Sequence, residues 1–262
     1  MLLGRAAAVC QRRPRRENVP RPALGACPPG GIALAYSGKQ TRFRVRFRGL
    51  FVRFAGGLQV NRKTVSKIIL ATGSARRKRL LRQAHVRFRT VRPKLDESRY
   101  QADTPEELVR KLAAAKAEDV RRRLRSPGSK WIFGMDTVID VDGRTVGKPQ
   151  DRSQAEAFLR LLAGREHRVL TGVALCSPYC AAPIAEVCAS RVRFRRLDLE
   201  EISLYLETGE WRGAAGAYRI QERGELLIES IHGSYSNIVG LPLGLFYGML
   251  RRSKYPFHGR MQ

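Results

Sequence analysis

Ile68-Ile69-Leu70-Ala71-Thr72-Gly73-Ser74-Ala75-Arg76-Arg77 decides the fold class. Its apolar start reads as a short buried strand, the small residues as a tight loop, and the arginines as the first turn of a helix. A strand that runs through such a loop into a helix opens an α/β unit. The matching stretch is Phe133-Gly134-Met135-Asp136-Thr137-Val138-Ile139, followed by Gly147-Lys148-Pro149. This is a second apolar strand, interrupted by a carboxylate, with a lysine a dozen residues on. Cations that can grip phosphate, and an acid that can hold a metal or activate water, point to phosphate-ester chemistry.

Outward from these two stretches the chain alternates strand and helix signals. A strand is expected over 66–71 and a helix over 76–84, with Leu80 and Leu81 inward. Thr104-Pro105-Glu106-Glu107 starts a helix that reaches about residue 124: a Thr cap, Pro in the first turn and Glu at the third position. Residues 130–141 read as a long strand, Asp142-Gly143 as a hairpin turn and 144–146 as the return. Ser153-x-x-Glu156 reads as a second capping box, with its helix ending at Gly164. Two β-rich runs, 168–176 and 184–195, precede a helix opened by Asp198-x-x-Glu201 and closed by Gly209. A strand over 225–231 and a helix over 243–251 complete the chain. The expected fold is α/β, an elongated mixed sheet flanked by helices around a central cleft.

The formal charge of +27 over 262 residues favours an anionic partner: nucleotide, nucleic acid or acidic membrane surface. It is concentrated at one end. Residues 1–59 hold 12 Lys/Arg against one acid, Glu17, whereas the remainder mixes both signs as folded enzymes do. This weakens the nucleic-acid reading. Five cysteines at irregular spacing argue against a secreted disulfide framework. Cys176 and Cys180 lack the further ligands that a zinc site needs. No apolar run approaches the length of a membrane span. The expected location is the cytoplasm.

Residues 1–59 are rich in Arg, Pro and Gly and form a unit distinct from 60–262. They read as a disordered basic tail, as a transit segment, or as an untranslated leader. The expectation is the last. Gly56-Gly57, coded GGN-GGN, can spell a ribosome-binding site, and Val60 follows two codons later as a GTG start. On that reading the alternation Arg42-Phe43-Arg44-Val45-Arg46-Phe47-Arg48 only mimics a strand.

Several residues could carry chemistry. In Thr72-Gly73-Ser74, small side chains let backbone N–H groups approach an anion at a helix start, with Arg76 and Arg77 above them. A plain helix cap with solvated arginines fits the same residues. Lys116 shares a helix face with Leu108 and Leu112, so it meets an anion there or snorkels to water. Asp136 inside an apolar strand needs a partner, a metal or a proton. Asp96-Glu97 form an acidic patch in a basic chain. Lys148 and Gln221 stand at loop–strand junctions.

Taken in order, these blocks resemble the Maf family of nucleoside triphosphate pyrophosphatases over about residues 66–252. Ala71-Thr72-Gly73-Ser74-Ala75-Arg76-Arg77 stands for a motif close to A-S-G-S-P-R-R. Asp96-Glu97, Lys116 and Gly134-Met135-Asp136-Thr137-Val138 follow. Then come Gly147-Lys148-Pro149, Thr171-Gly172-Val173-Ala174-Leu175, Ala215-Gly216-Ala217-Tyr218-Arg219-Ile220-Gln221 and Asn237-Ile238-Val239-Gly240-Leu241-Pro242.

The resemblance implies cleavage of a nucleoside triphosphate between the α and β phosphates, a divalent metal such as Mg²⁺ or Mn²⁺, and pairing into homodimers. Ala75-Arg76-Arg77 and Ile220-Gln221 are similar to the subgroup that acts on dTTP and UTP. The alternative subgroup, acting on 7-methyl-GTP, carries a Trp before its arginines. Carried over, Asp136 is the general base or metal-bound activator of water, and Glu97 with Asp136 holds the metal. Thr72, Ser74, Arg76, Arg77, Lys116 and Lys148 bind phosphate, and Arg76, Thr137 and Gln221 set base specificity. Three departures stand out: Thr72 for Ser, Ala75 for Pro, and Arg219 with Glu222 for small residues beside Gln221. Competing readings are a basic nucleic-acid-binding protein and a cell-division regulator that only binds nucleotide.

Overall fold

The computed structural model describes residues 68–125, 128 and 130–257, with the backbone alone of 44–47 and 50–53. The chain divides into two compact units, Met1–Arg62 and Lys63–Gln262. In the first, β1 (Arg44–Phe47) pairs antiparallel with β2 (Leu50–Arg53). The tail, transit-segment and leader readings of residues 1–59 otherwise lie outside the described residues.

The second unit is built on one seven-stranded sheet. Its strands are β3 (Ile68–Ala71), β4 (Phe88–Val91), β5 (Trp131–Val141), β6 (Arg144–Val146), β7 (Glu166–Cys176), β8 (Ile184–Phe194) and β9 (Ile228–His232). The order is β4-β3-β5-β7-β8-β9, with β6 also on β5. β3 runs parallel to β4 and β5, and the other pairs are antiparallel. The sheet is therefore mixed, as expected. All four residues of β3 are buried, as a strand covered on both faces requires.

The helices are α1 (Ala75–Gln83), α2 (Pro105–Arg123), α3 (Arg152–Leu162), α4 (Leu199–Glu207), α5 (Tyr235–Val239) and α6 (Leu243–Arg252). α1 buries Leu80 and Leu81. The Thr104 hydroxyl caps α2 by accepting from the Glu107 N–H at 3.2 Å. Asp198 and Glu201 form a reciprocal capping box on α4. The start of α3 differs from expectation. Asp151, not Ser153, is the cap; it accepts from the Gln154 N–H at 2.7 Å. The Gln154 amide in turn accepts from the Gln150 N–H at 2.8 Å, so the Asp–Gln pair outcompetes the Ser–Glu pair two residues on. Residues 223–227 form a 3₁₀ turn, which delays β9 to Ile228. β4 and α5 have no counterpart among the expected elements, because each is too short for periodicity to show.

Side chains alternate across the sheet. Ile68, Leu70, Phe133 and Met135 join the large core against α1, α3, α4 and α6. Ile69, Ala71 and Ile132 meet Ala113, Ala117 and Val120 of α2 on the opposite face. α2 lies unusually close to that face. A Cβ on Gly134 would sit 2.1 Å from the Ala113 carbonyl oxygen, and one on Gly172 2.1 Å from that of Val109. Only glycine lets the helix backbone rest directly on β5 and β7. Gly134→Ala forces α2 outward against a packed core. It is expected to destabilise the protein by about 3 kcal/mol, measured as a lower urea midpoint with an unchanged slope.

In the large core His167 is buried among aromatic rings, edge-on to Phe194 and Tyr218, with Nε2 2.9 Å from the Tyr218 hydroxyl. Its Nδ1 has no partner. Burial pushes the imidazole down to about 4 from the ordinary 6.5. Between those values the unfolded chain takes up a proton that the folded chain refuses. Stability is therefore complete above 6.5 and falls as pH drops toward 4, by about 3 kcal/mol. His167→Gln keeps a hydrogen-bonding group without titrating, so a plot of unfolding free energy against pH should flatten across this window.

Candidate active site

The site lies where β5 lacks a neighbour along one edge. Pairing with β3 ends at Gly134, and pairing with β6 begins at Ile139. The gap opens a cavity of about 670 Å³ beyond the carboxyl end of β3, where ligands bind in open α/β sheets. Because side chains alternate along a strand, Asp136 faces α2 while Thr137 faces α1 and α5. Both nevertheless reach the cavity through the open edge.

Thr72, Ser74, Arg76, Arg77, Glu97, Lys116, Asp136, Thr137, Lys148 and Gln221 all line this one cavity, whereas Asp96 of the acidic patch does not. The loop after β3 and the carboxylate of β5 thus share one chamber. Their individual settings differ, however.

Lys116 projects from the buried face of α2. Its Nζ lies 2.5 Å from Asp136 Oδ1 and 2.9 Å from Glu97 Oε1. The lysine therefore meets anions rather than snorkelling. The two carboxylates converge on one cation. Burial alone would push the Glu97 carboxyl up, but Lys116, followed by Lys148 and Arg77, holds it below the usual range. Asp96, its neighbour, is turned away. Its carboxylate accepts from the Ser98 N–H and hydroxyl at 3.2 and 2.6 Å and from Arg99 Nε at 3.1 Å.

Arg77 is a hub. Its Nε donates to the Gly240 carbonyl at 2.7 Å, one terminal nitrogen to the Met135 carbonyl at 3.1 Å and Thr72 Oγ1 at 3.4 Å, and the other to Thr137 Oγ1 at 3.0 Å. Four of the five N–H donors of a guanidinium are thereby spent on the protein. Arg77 offers a ligand its charge and one remaining N–H, not a bidentate fork. Burial, opposed by Asp136 and assisted by Arg76, lowers its pKa from the ordinary value. Arg76 is freer: it donates to the Gly213 carbonyl at 3.2 Å. Its pKa is lowered by burial and then by the nearby Arg219.

Ser74 caps α1, and Thr72 Oγ1 accepts from the Ser74 N–H at 3.1 Å. The N–H groups of Ala75 and Arg76, in the first turn, have no intrahelical acceptor and open toward an anion. Lys148 is exposed on the rim, in the loop after β6. Gln221 is half-buried and makes no hydrogen bond to the described residues, so its amide is available.

Sequence reasoning assigned no role to Arg92, Tyr218 or Arg219, which also line the cavity. Arg219 was visible only as a departure from pattern. Its terminal nitrogens reach the Arg212 carbonyl at 2.8 Å and Glu222 at 3.4 Å, and its buried Nε has no partner. The cations on the cavity wall outnumber its carboxylates, as an anion site requires.

The donor set also bears on metal binding. Asp136 Oδ2 and Glu97 Oε2 make no hydrogen bond among the described residues, and no cluster of three or more His, Cys, Asp or Glu gathers there. Two adjacent carboxylates of this kind fit a hard divalent ion that is completed by substrate oxygens and water, and not an all-protein cage.

Residues 67–253 match the family described as Maf-like protein. The dTTP/UTP pyrophosphatase of Symbiobacterium thermophilum is 46% identical over 192 residues, spanning 73% of this chain and 96% of that protein. The dTTP/UTP pyrophosphatase of Geotalea uraniireducens is 42% identical over 187 residues, spanning 71% and 95%. Among solved structures, the Staphylococcus aureus Ham1 protein superposes on 71% of this chain and 99% of its own, at 12% identity and a TM-score of 0.43.

Proposed function

The chain belongs to the Maf-like family, and we propose that it hydrolyses dTTP and UTP between the α and β phosphates, releasing the monophosphate and pyrophosphate. The observation that carries this reading is Lys116 held between Asp136 and Glu97 in a cavity that also contains the open helix start at Thr72–Arg76. A site with so many cations around two carboxylates suits a triphosphate that must be gripped and attacked at one end.

In this reading the triphosphate lies along Arg76, Lys116, Lys148 and the first-turn N–H groups of α1. These charges are in place before substrate arrives, so they stabilise the charge that develops on the leaving pyrophosphate without reorganising. Asp136 accepts the proton of the attacking water through the oxygen that Lys116 leaves open. Lys116 holds that carboxylate in place through its contact with the other oxygen. Glu97 and Asp136 would hold Mg²⁺ or Mn²⁺, which supplies Lewis-acid polarisation of the phosphate oxygens. Gln221 offers its amide N–H to a carbonyl oxygen of the base edge, and Arg76 and Thr137 line the same cavity. Homodimerisation and a cytoplasmic location belong to the same proposal and rest on the family resemblance.

Asp136→Asn should lower kcat by about a thousandfold while thermal unfolding stays cooperative; near-normal turnover would remove Asp136 from its role. Gln221→Ala should reduce the preference for UTP over other triphosphates about tenfold, with inhibition by pyrophosphate little changed. Pyrophosphate release from each common triphosphate and from 7-methyl-GTP is the assay. Faster release from 7-methyl-GTP than from UTP would favour the alternative subgroup.

A further inference from the structure

The direction of one hydroxyl in the cavity is fixed by its neighbours. Thr137 is half-buried on the cavity wall. Arg77 donates to its Oγ1 at 3.0 Å. A guanidinium accepts nothing, so this contact uses one lone pair of the hydroxyl. Thr171 Oγ1 lies 3.0 Å away on the other side. Thr171 is fully buried, and its hydroxyl donates to the Asn237 main-chain carbonyl at 3.2 Å.

Asn237 is itself immobilised. It is fully buried, and its side-chain amide donates to the Val169 carbonyl at 2.9 Å and to Ser190 Oγ at 3.0 Å. A hydroxyl has a single hydrogen. That of Thr171 is committed to a carbonyl, which cannot donate. In the Thr137–Thr171 pair the donor must therefore be Thr137. With its hydrogen given to Thr171 and one lone pair given to Arg77, Thr137 has only a lone pair left for a ligand.

We propose that Thr171, backed by the Asn237 carbonyl, is a positioning residue that makes Thr137 an obligate acceptor, and that Thr137 thereby reads the imide N3–H of uracil or thymine. The inference rests on the dTTP/UTP reading and deepens it. A triphosphate tail at neutral pH presents almost only acceptors, so it cannot satisfy this group. Cytosine carries a lone pair at N3 where uracil carries N–H. Facing Thr137, it sets two lone pairs against each other and leaves both unsatisfied in a partly buried site. A site built to bond one polar pattern rejects its complement far more strongly than it rejects a change in apolar bulk.

The test is the ratio of kcat/KM for UTP to that for CTP, in the wild type, Thr171→Val and Thr171→Ser. Valine keeps the shape but removes the acceptor, which frees the Thr137 hydrogen to turn to the ligand. The ratio should fall about tenfold in Thr171→Val and return in Thr171→Ser. A structural loss would lower both substrates together and leave the ratio unchanged, and that result would overturn the proposal. If Thr171→Val does not fold, the wild type decides. N3-methyl-UTP, which lacks the donor, should be cleaved at least about tenfold less efficiently than 5-methyl-UTP, and parity would overturn the proposal. Discrimination that follows the ribose, between UTP and 2′,3′-dideoxy-UTP, in place of the base would do the same. Failure of the wild type to cleave UTP at all would sink the dTTP/UTP reading itself, a separate outcome.

Discussion

The site depends on how closely α2 lies on the sheet. Its backbone rests on Gly134 of β5 and Gly172 of β7, at a spacing that any Cβ would prevent. Only at that spacing does Lys116, one residue before Ala117 on the helix, reach the carboxylate two residues beyond Gly134 at 2.5 Å. Burying an ammonium costs free energy unless anions meet it, and burying Asp136 costs likewise unless a cation does. Each group removes the other's penalty, and Glu97 adds a second anion from a loop outside the sheet. The packing of one helix and the charge pattern of the site are therefore a single arrangement. A change that loosens the first disperses the second.

On the opposite face Arg77 has the corresponding role through hydrogen bonds. It joins the loop after β3, the unpaired edge of β5 and the turn between α5 and α6. The Met135 carbonyl, which would otherwise face the gap without a strand partner, is satisfied by this guanidinium. The sheet can thus stop pairing for a few residues and open a cavity without leaving that backbone group bare. The open edge, which would be a liability elsewhere, becomes the place where side chains from both faces of β5 meet one ligand.

Much of this was legible in the chain, and the illegible parts have physical reasons. The strand–loop–helix at Ile68–Arg77 and the carboxylate at Asp136 stand out because polar groups interrupt apolar runs, and burial statistics make such interruptions conspicuous. Lys116 was legible as an inward lysine, since helical spacing fixes its face, although its partner could not be named. Gly134 and Gly172 appeared within motifs, but the reason for glycine is a distance between elements far apart in sequence. Ser153 reads as a cap from sequence but is not one, because Asp151-Arg152-Ser153-Gln154 offers a competing box only two residues earlier. The part played by Arg77 was invisible for a related reason. Nothing in a sequence distinguishes an arginine aimed at a ligand from one consumed by carbonyl groups of its own chain.

The last consequence concerns the charge left over once the internal contacts are made. Lys116 is matched by two carboxylates and Arg77 by protein acceptors, whereas Arg76, Arg219 and Lys148 remain crowded around the same chamber with fewer anions to meet them. Burial, and after it the like charge of Arg219, lowers the Arg76 pKa even with Glu222 nearby. Such crowding is unfavourable and is relieved by a polyanion, so on the proposed reading part of the affinity for a triphosphate would come from removing a repulsion already built into the wall. The same repulsion grows if a cationic base is brought to the Arg76–Arg219 end. On the proposed dTTP/UTP reading, Arg219 therefore works against a base with a fixed positive charge, while the Glu222 carboxylate beside it offsets part of that effect.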